Sequence, residues 1–321
     1  MKIIVLAGSP KGAVSVTMQY VEYLKKVNPA CEFIVYPVAQ KIAHIEKDEQ
    51  YFYEIIEAVE GADGVLWAFP LYFLMTHAHY KRFIEIVFER SATAAFHGKY
   101  AATLSTSIHY FDHTAHNYMQ AVCDDLGMRF VGSFSADMSD LMQEKGQRQL
   151  EQFGQVFLRA IQAHAATQRQ YAPLRPPEFV YTPGETTGKT DTRGKKIAII
   201  HDGERRGSNL AAMVQRCRAA FQQEVTVVDL NEVDIRSSCL GCLRCGYDNH
   251  CAFEGKDGFI DFFRSAVMGS DVLVFAGSMV DRYLSSRWKT FFDRSFFNTH
   301  TPSLVDKQLV FVVSGALNQE P

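Results

Sequence analysis

The sequence predicts an α/β protein in which two doubly wound parallel sheets follow one another along one chain. Three observations carry this. Short continuous apolar runs alternate with segments of helical period, the pattern of a parallel sheet covered on both faces. A stretch rich in proline and glycine interrupts the alternation once, between residues 171 and 195. After it the pattern restarts, with recurring residues at fixed offsets.

Taken in order, Lys2–Ala7 is a buried strand, and the loop Gly8-Ser-Pro-Lys-Gly-Ala-Val-Ser15 leads into a helix over Val16–Val27, ended near Asn28-Pro29. Glu32–Tyr36 is the second strand and Asp48–Val59 the second helix, with Asp48 as its N-cap. Asp63–Phe69 is the third strand, His77–Glu89 the third helix, Tyr100–Thr106 the fourth strand and His113–Leu126 the fourth helix. Arg129–Phe134 and the long helix Gln143–Ala166 close the unit. Five such units fit the flavodoxin-like order 2-1-3-4-5. The expected domains are 1–170, a linker over 171–195, and a second copy over 196–321.

The two copies align by hand. Lys2-Ile3 matches Lys196-Ile197 at an offset of 194. Gly61, Asp63, Lys81, Phe83 and Lys99 match Gly269, Asp271, Lys289, Phe291 and Lys307 at an offset of 208. The second copy therefore gains 14 residues between its first and third strands, after the strand Val225–Asp229 and before a helix starting near Gly258. By the same offset Pro321 corresponds to His113, so the second copy is expected to be truncated after its fourth strand, as a fragment would be.

The insertion holds Cys239, Cys242, Cys245 and Cys251, spaced C-x2-C-x2-C-x5-C. Thiolates so clustered suit an iron–sulfur centre. They also suit a tetrahedral zinc, or free thiols without metal. Cys31, Cys123 and Cys217 are isolated and expected to pack as small hydrophobes.

Composition narrows the partners. With 47% hydrophobic and 21% charged residues and a formal net charge of −3, there is no basic excess to hold nucleic acid. The N-terminal apolar run is too short for a signal segment, and the longest apolar stretch, Gly64 to Met75, is too short to span a bilayer. A cytoplasmic protein with reduced cysteines is the expectation.

Three strand-end loops of the first copy are expected at one crevice. Gly8–Thr17 joins a strand to a helix N-terminus, where outward amides and the helix dipole favour an anion. Ser9, Ser15 and Thr17 add hydroxyls and Lys11 a charge, which suits one phosphate monoester. Pro70-Leu71-Tyr72-Phe73 offers rings to stack on a flat ligand, and Thr106, Ser107 and His109 offer polar groups at the fourth strand's exit. No nucleophile or acid–base pair stands out as catalytic.

Gly8-Ser-Pro-Lys with Ser15 and Thr17, Pro70-Leu-Tyr and Lys81-Arg-Phe resemble the NAD(P)H-dependent FMN reductase group of flavodoxin-like proteins. In the second copy the cysteine loop, Lys256-Asp-Gly-Phe259 and Lys289-Thr-Phe-Phe-Asp-Arg294 resemble its iron–sulfur flavoprotein branch. The resemblance implies noncovalent FMN, NAD(P)H as co-substrate, a [4Fe-4S] centre on the four cysteines, a small-molecule or redox-protein electron acceptor, and a homodimer or higher oligomer. The second copy departs from it: Arg205, Ser208 and Asn209 are weaker flavin candidates, because Asp202 and Glu204 stand beside them and Gly277-Ser-Met279 replaces Pro-Leu-Tyr. The expected activity is flavin-dependent oxidation of NAD(P)H. The alternatives are an electron-transfer flavoprotein without a substrate of its own and a zinc-binding interaction module.

Overall fold

The computed structural model describes residues 1–316 except 176–177, 186–187, 204–208 and 299–300. It divides into two compact units, one of Met1–Leu174 and one beginning at Arg175.

In the first unit the strands are β1 (Lys2–Ala7), β2 (Glu32–Tyr36), β3 (Gly64–Tyr72), β4 (Met75–Thr76), β5 (Tyr100–Ser107) and β6 (Arg129–Asp137). The helices are α1 (Val16–Val27), α2 (Ile42–Lys47), α3 (Glu49–Glu60), α4 (Ala78–Glu89), α5 (Asp112–Asp125) and α6 (Glu144–Gln162). The sheet order is β2-β1-β3-β5-β6, all parallel, and this is the expected 2-1-3-4-5 arrangement. Residues 3–7 of β1 and all of β5 are buried, which is why these strands read as unbroken apolar or small-residue runs. One core packs Ile3, Val5 and Leu66 under α1 and α6 through Val21, Leu24 and Phe157. Ser15 caps α1, accepting from the Met18 N–H at 3.3 Å, and Asp48 caps α3, accepting from the Tyr51 N–H at 3.1 Å.

Strand β6 runs to Asp137, past the expected Phe134, and two further features differ from expectation. Helix α2 was not anticipated: it has six residues, no side-chain cap, and only Ile42 and Ile45 buried, too little periodicity to announce itself. Strand β3 runs three residues past Phe69, because Leu71 and Tyr72 pair antiparallel with Thr76 and Met75. The turn joining them holds Phe73 at φ 41° and Leu74 at φ 65°, the two left-handed centres of a tight hairpin.

The second unit repeats this plan with β7 (Ile197–His201), α7 (Asn209–Ala219), β8 (Thr226–Asp229), α8 (Cys245–Asp248), α9 (Phe259–Phe262), β9 (Val272–Val280), β10 (Tyr283–Leu284), α10 (Ser286–Ser295) and β11 (Gln308–Ser314). Its parallel strands lie in the order β8-β7-β9-β11, matching the first four of the other sheet. The repeat extends to backbone detail. The β9–β10 turn places Asp281 at φ 46° and Arg282 at φ 72°, 208 residues after Phe73 and Leu74. Thr190 of the proline- and glycine-rich segment bridges to Phe221, so part of that segment is tied to this unit. No helix among the described residues is long and apolar enough to cross a membrane.

Candidate functional site

The carboxyl edge of the first sheet brings the predicted loops together. Gly8 directly follows β1 and donates its N–H to Ala68 O at 2.7 Å. A Cβ on Gly8 would lie 2.8 Å from Phe69 Cβ and 2.9 Å from the Tyr80 ring, so only glycine lets the chain turn there. Ser9, Ser15 and Thr17 are buried just beyond, while Lys11 stays exposed. Ser9 Oγ accepts from the Lys11 N–H at 3.2 Å. Thr17 and Thr106, 89 residues apart, meet Oγ1 to Oγ1 at 2.6 Å, joining the first turn of α1 to the end of β5. Hydroxyls and a helix N-terminus thus meet, with Lys11 exposed in the same loop and no carboxylate among them, a donor set that fits one phosphate group.

Pro70, Leu71 and Tyr72 lie within β3 and are half-buried, and the exposed ring of this stretch is Phe73 at the hairpin turn. The Tyr72 ring packs edge-on against His77 with centroids 4.8 Å apart. His77 was not anticipated. It is fully buried and caps α4, accepting from the His79 N–H at 3.1 Å.

The fourth-strand exit carries more chemistry than its sequence shows. Because side chains alternate along β5, Thr106 faces α1 while Thr103 and Ser105 face α5. There they hold His116, with Thr103 Oγ1 2.9 Å from Nδ1 and Ser105 Oγ 2.8 Å from Nε2. Ser105 donates to Ser135 Oγ at 3.4 Å, and Ser135 donates to Asp112 Oδ2 at 2.5 Å. His109 Nδ1 lies 3.1 Å from the same oxygen. The His109 backbone N–H donates to Ser107 Oγ at 2.9 Å. Burial pushes His116 down to about 4, against the opposing pull of the Asp112 charge. Burial alone would raise Asp112, yet the hydrogen bonds from Ser135 and His109, the His109 charge and the His113 N–H bring it down to about 2. His116 was assigned no role from sequence; its place between two hydroxyls is visible only once β5 and α5 are packed.

The second unit changes the same edge. At the 194 offset Asp202 stands where Gly8 stands, and at the 208 offset Gly277 stands where Phe69 stands, with Leu284 and Trp288 2.8 Å from where its Cβ would be. The Asp202 carboxyl is buried and its Oδ2 accepts from Ser285 Oγ at 2.5 Å, while Oδ1 meets no hydrogen-bond donor among the described residues. Burial, with a contribution from Asp229, raises it to about 6, although the Ser285 hydrogen bond and backbone N–H groups oppose the shift. The folded unit therefore binds this proton more tightly than the unfolded chain does. The stability it contributes is complete below the ordinary carboxylate value and is lost as pH rises through about 6. Asp202→Asn is expected to stabilise the second unit at pH 8 by roughly 2–3 kcal/mol and to leave it unchanged at pH 4. Urea unfolding followed by Trp288 fluorescence at both pH values checks this, and equal gains at both would rule out the charge as the cause.

Asn209 begins α7 with its side chain engaged: Nδ2 donates to Phe179 O at 2.8 Å, and Oδ1 accepts from the Tyr181 N–H at 2.7 Å. The helix start that corresponds to Ser15 is thus held by the preceding segment. Arg205 and Ser208 lie outside the described residues.

The cysteine loop follows β8, at the expected carboxyl edge. Its two ends are clamped by α10. At one end Arg294 donates to Ser237 O at 2.9 Å, and Asp293 accepts from Ser238 Oγ at 3.1 Å and from the buried Lys289. At the other, Arg294 grips Asp257 with two bonds of 2.7 and 3.0 Å. Lys289-x-Phe-x-Asp-Arg294 is therefore the anchor of the loop. Burial pushes the Cys239 thiol up to about 12, with further upward contributions from Asp293, Cys245 and Cys251 against the Gly241 N–H. Cys245 is raised by burial and then by Cys251 and Cys242. Among the described residues, no three His, Cys, Asp or Glu side chains are arranged as a metal-ion site. The [4Fe-4S] and zinc expectations thus have the spacing and the shared field of the thiols, and no preformed ligand geometry.

A family model described as NADPH-dependent FMN reductase matches residues 1–140 and 195–320. No curated protein matches the chain in sequence. Among solved structures, an NADH:FMN oxidoreductase in its apo form is 22% identical, with a TM-score of 0.43, over 50% of this chain and 89% of its own. The NAD(P)H:acceptor flavoenzyme FerB of Paracoccus denitrificans is 19% identical, with a TM-score of 0.42, over 51% and 98%. General stress protein 14 of Treponema denticola, solved with FMN, is 13% identical, with a TM-score of 0.37, over 50% and 98%.

Proposed function

The chain belongs to the NADPH-dependent FMN reductase family and is an NAD(P)H-dependent flavin oxidoreductase; from that premise we propose that its first unit alone holds FMN and that its second unit takes none. The observation that carries this is the exchange of Gly8 for Asp202 at equivalent strand ends. A buried carboxyl is a poor neighbour for a phosphate, and Asn209 at the equivalent helix start is engaged by Phe179 and Tyr181.

Ser9, Ser15, Thr17 and the amides that open α1 would hold the phosphate, with Lys11 adding charge. Tyr72 and Phe73 would flank the ring system, and Thr106, Ser107 and His109 would meet its polar edge. When bound, FMN supplies hydride acceptance from NAD(P)H. The side chains named would position it for that exchange. A small-molecule or redox-protein acceptor would take the electrons.

Titration of the full chain with FMN is expected to saturate at one equivalent. Ser9→Ala should weaken binding by roughly 10-fold or more, since a hydrogen bond to a charged group contributes about 1.5–3 kcal/mol. Saturation at two equivalents, or unchanged affinity in the variant, would overturn this assignment. A [4Fe-4S] relay on Cys239, Cys242, Cys245 and Cys251 is a finer reading, supported by spacing and by thiols close enough to feel one another's charge. Iron and sulfide assays on protein purified without oxygen decide it, and their absence removes it. Cytoplasmic residence, which would keep the cysteines reduced, remains the expectation from the sequence, and a homo-oligomer is what the family reading implies; light scattering reads the latter.

A further inference from the structure

We propose that His77 is a positioning residue that fixes the spacing between the phosphate loop and the β3–β4 hairpin, an assignment that rests on the flavin reading of the first unit. One FMN would reach from the loop to the hairpin. Its affinity therefore depends on how those two parts are held relative to each other before it binds.

Three rings run from the hairpin to the loop after β2. The Tyr72 ring meets His77 edge-on, with centroids 4.8 Å apart and planes at 83°. His77 meets His79 in the same manner, at 4.6 Å and 86°. His79 Nδ1 lies 3.0 Å from Ala39 O, and because a carbonyl only accepts, this nitrogen carries the hydrogen. Ala39 in turn donates its N–H to Ala7 O at 3.2 Å. The next residue, Gln40, lies against Gly12 of the phosphate loop: a Cβ on Gly12 would fall 2.4 Å from Gln40 Oε1. The row thus begins at Tyr72 and ends on the loop that carries Lys11 and Ser15, with His77 as its fully buried centre.

The second unit separates the tasks of this row. At the 208 offset Ser285 stands where His77 stands, Arg287 where His79 stands and Val280 where Tyr72 stands. Ser285 caps α10, accepting from the Trp288 N–H at 3.3 Å, as His77 Nδ1 caps α4. Arg287 donates to Leu230 O just past β8 at 2.6 Å, as His79 does to Ala39 O past β2. Both hairpins turn through two left-handed residues. Cap, tie and turn therefore need no imidazole at this position. What the first unit adds is the contact of His77 with Tyr72, and the second unit has neither ring. An edge-on pair imposes a distance and an angle that a serine opposite a valine does not. His77 acts through Tyr72 and touches no reacting atom.

Two variants of the full chain divide the ring from the cap. His77→Ser keeps a capping oxygen and removes the ring, and His77→Phe keeps a ring and removes the cap. Both should lower the urea midpoint read by Trp67 in a Trp288→Phe background, one through the space left and the other through the lost cap. Only His77→Ser is expected to weaken FMN binding, by about 3- to 10-fold, the scale of one lost aromatic pair. It should also change the visible circular-dichroism band of the bound flavin, which reports how the ring is held. His77→Phe should keep the wild-type band and bind within about 2-fold of wild type. Unchanged affinity and band in His77→Ser overturn the proposal, as does affinity that follows the urea midpoint across both variants, since the residue would then act through folding alone. Wild-type protein that binds no FMN overturns instead the flavin reading beneath it.

Discussion

Replacing Asp257 with alanine is expected to destabilise the second unit by about 3–5 kcal/mol, because it strands a buried guanidinium. Arg294 is 1% exposed and Asp257 8%, and their two hydrogen bonds are the bidentate kind that arginine forms best. The guanidinium also lies over the Phe253 and Phe259 rings at 4.6 and 4.8 Å and bonds Ser237 O. With Asp257 gone, none of these neighbours neutralises the charge. The Asp257 backbone sits where the cysteine loop meets α9, so the same change frees that end of the loop. The two tryptophans allow a clean reading: Trp67 lies in the first unit and Trp288 in the second. Urea unfolding by Trp288 fluorescence in a Trp67→Phe background measures the loss. A change below about 1 kcal/mol would mean that the pair is decoration and not the loop's anchor. Pairing Asp257→Leu with Arg294→Met should recover much of the loss, since the stranded charge goes with its partner.

Acid should weaken the first unit in a window set by His116. Its folded value is held near 4 by burial, below the ordinary 6.5. The unfolded chain thus binds a proton more readily than the folded one between those values. The associated stability is complete above pH 6.5 and is lost as pH falls through about 4, for a total of roughly 3 kcal/mol. Asp112 adds a second loss at lower pH, as its carboxylate, depressed to about 2, becomes protonated. Unfolding monitored by Trp67 in a Trp288→Phe background, at intervals from pH 7.5 to 4, should show the slope. His116→Asn should flatten the part above pH 4 at some cost in stability at pH 7. A wild-type slope that persists in the variant would assign it to other groups.

The strands and caps were legible because their causes are local. Lys2–Ala7 and Val16–Val27 have the observed bounds, and Asp48 caps its helix as read, since apolar runs, periodicity and capping residues act within a few positions. The repeat was legible as well, down to 208 residues between equivalent turns. Meeting of distant residues was not. Thr17 with Thr106, and Ser105 with His116 and Ser135, depend on which strand lies beside which and which face each residue takes. Lys289-x-Phe-x-Asp-Arg294 was a family signature until its contacts with Ser237, Ser238 and Asp257 made it a clamp.

By itself the sequence determined two tandem flavodoxin-like units, a flavin-type loop in the first and a cysteine insertion in the second. Tertiary structure decided what the equivalent positions Gly8 and Asp202 meet: a Cβ on Gly8 would press on Phe69 and Tyr80, whereas the Asp202 carboxyl is buried and accepts from Ser285. It also decided that His109 has a carboxylate partner. Periodicity along a chain reports which face of an element is buried; chemistry needs to know what lies opposite that face, and only packing supplies this.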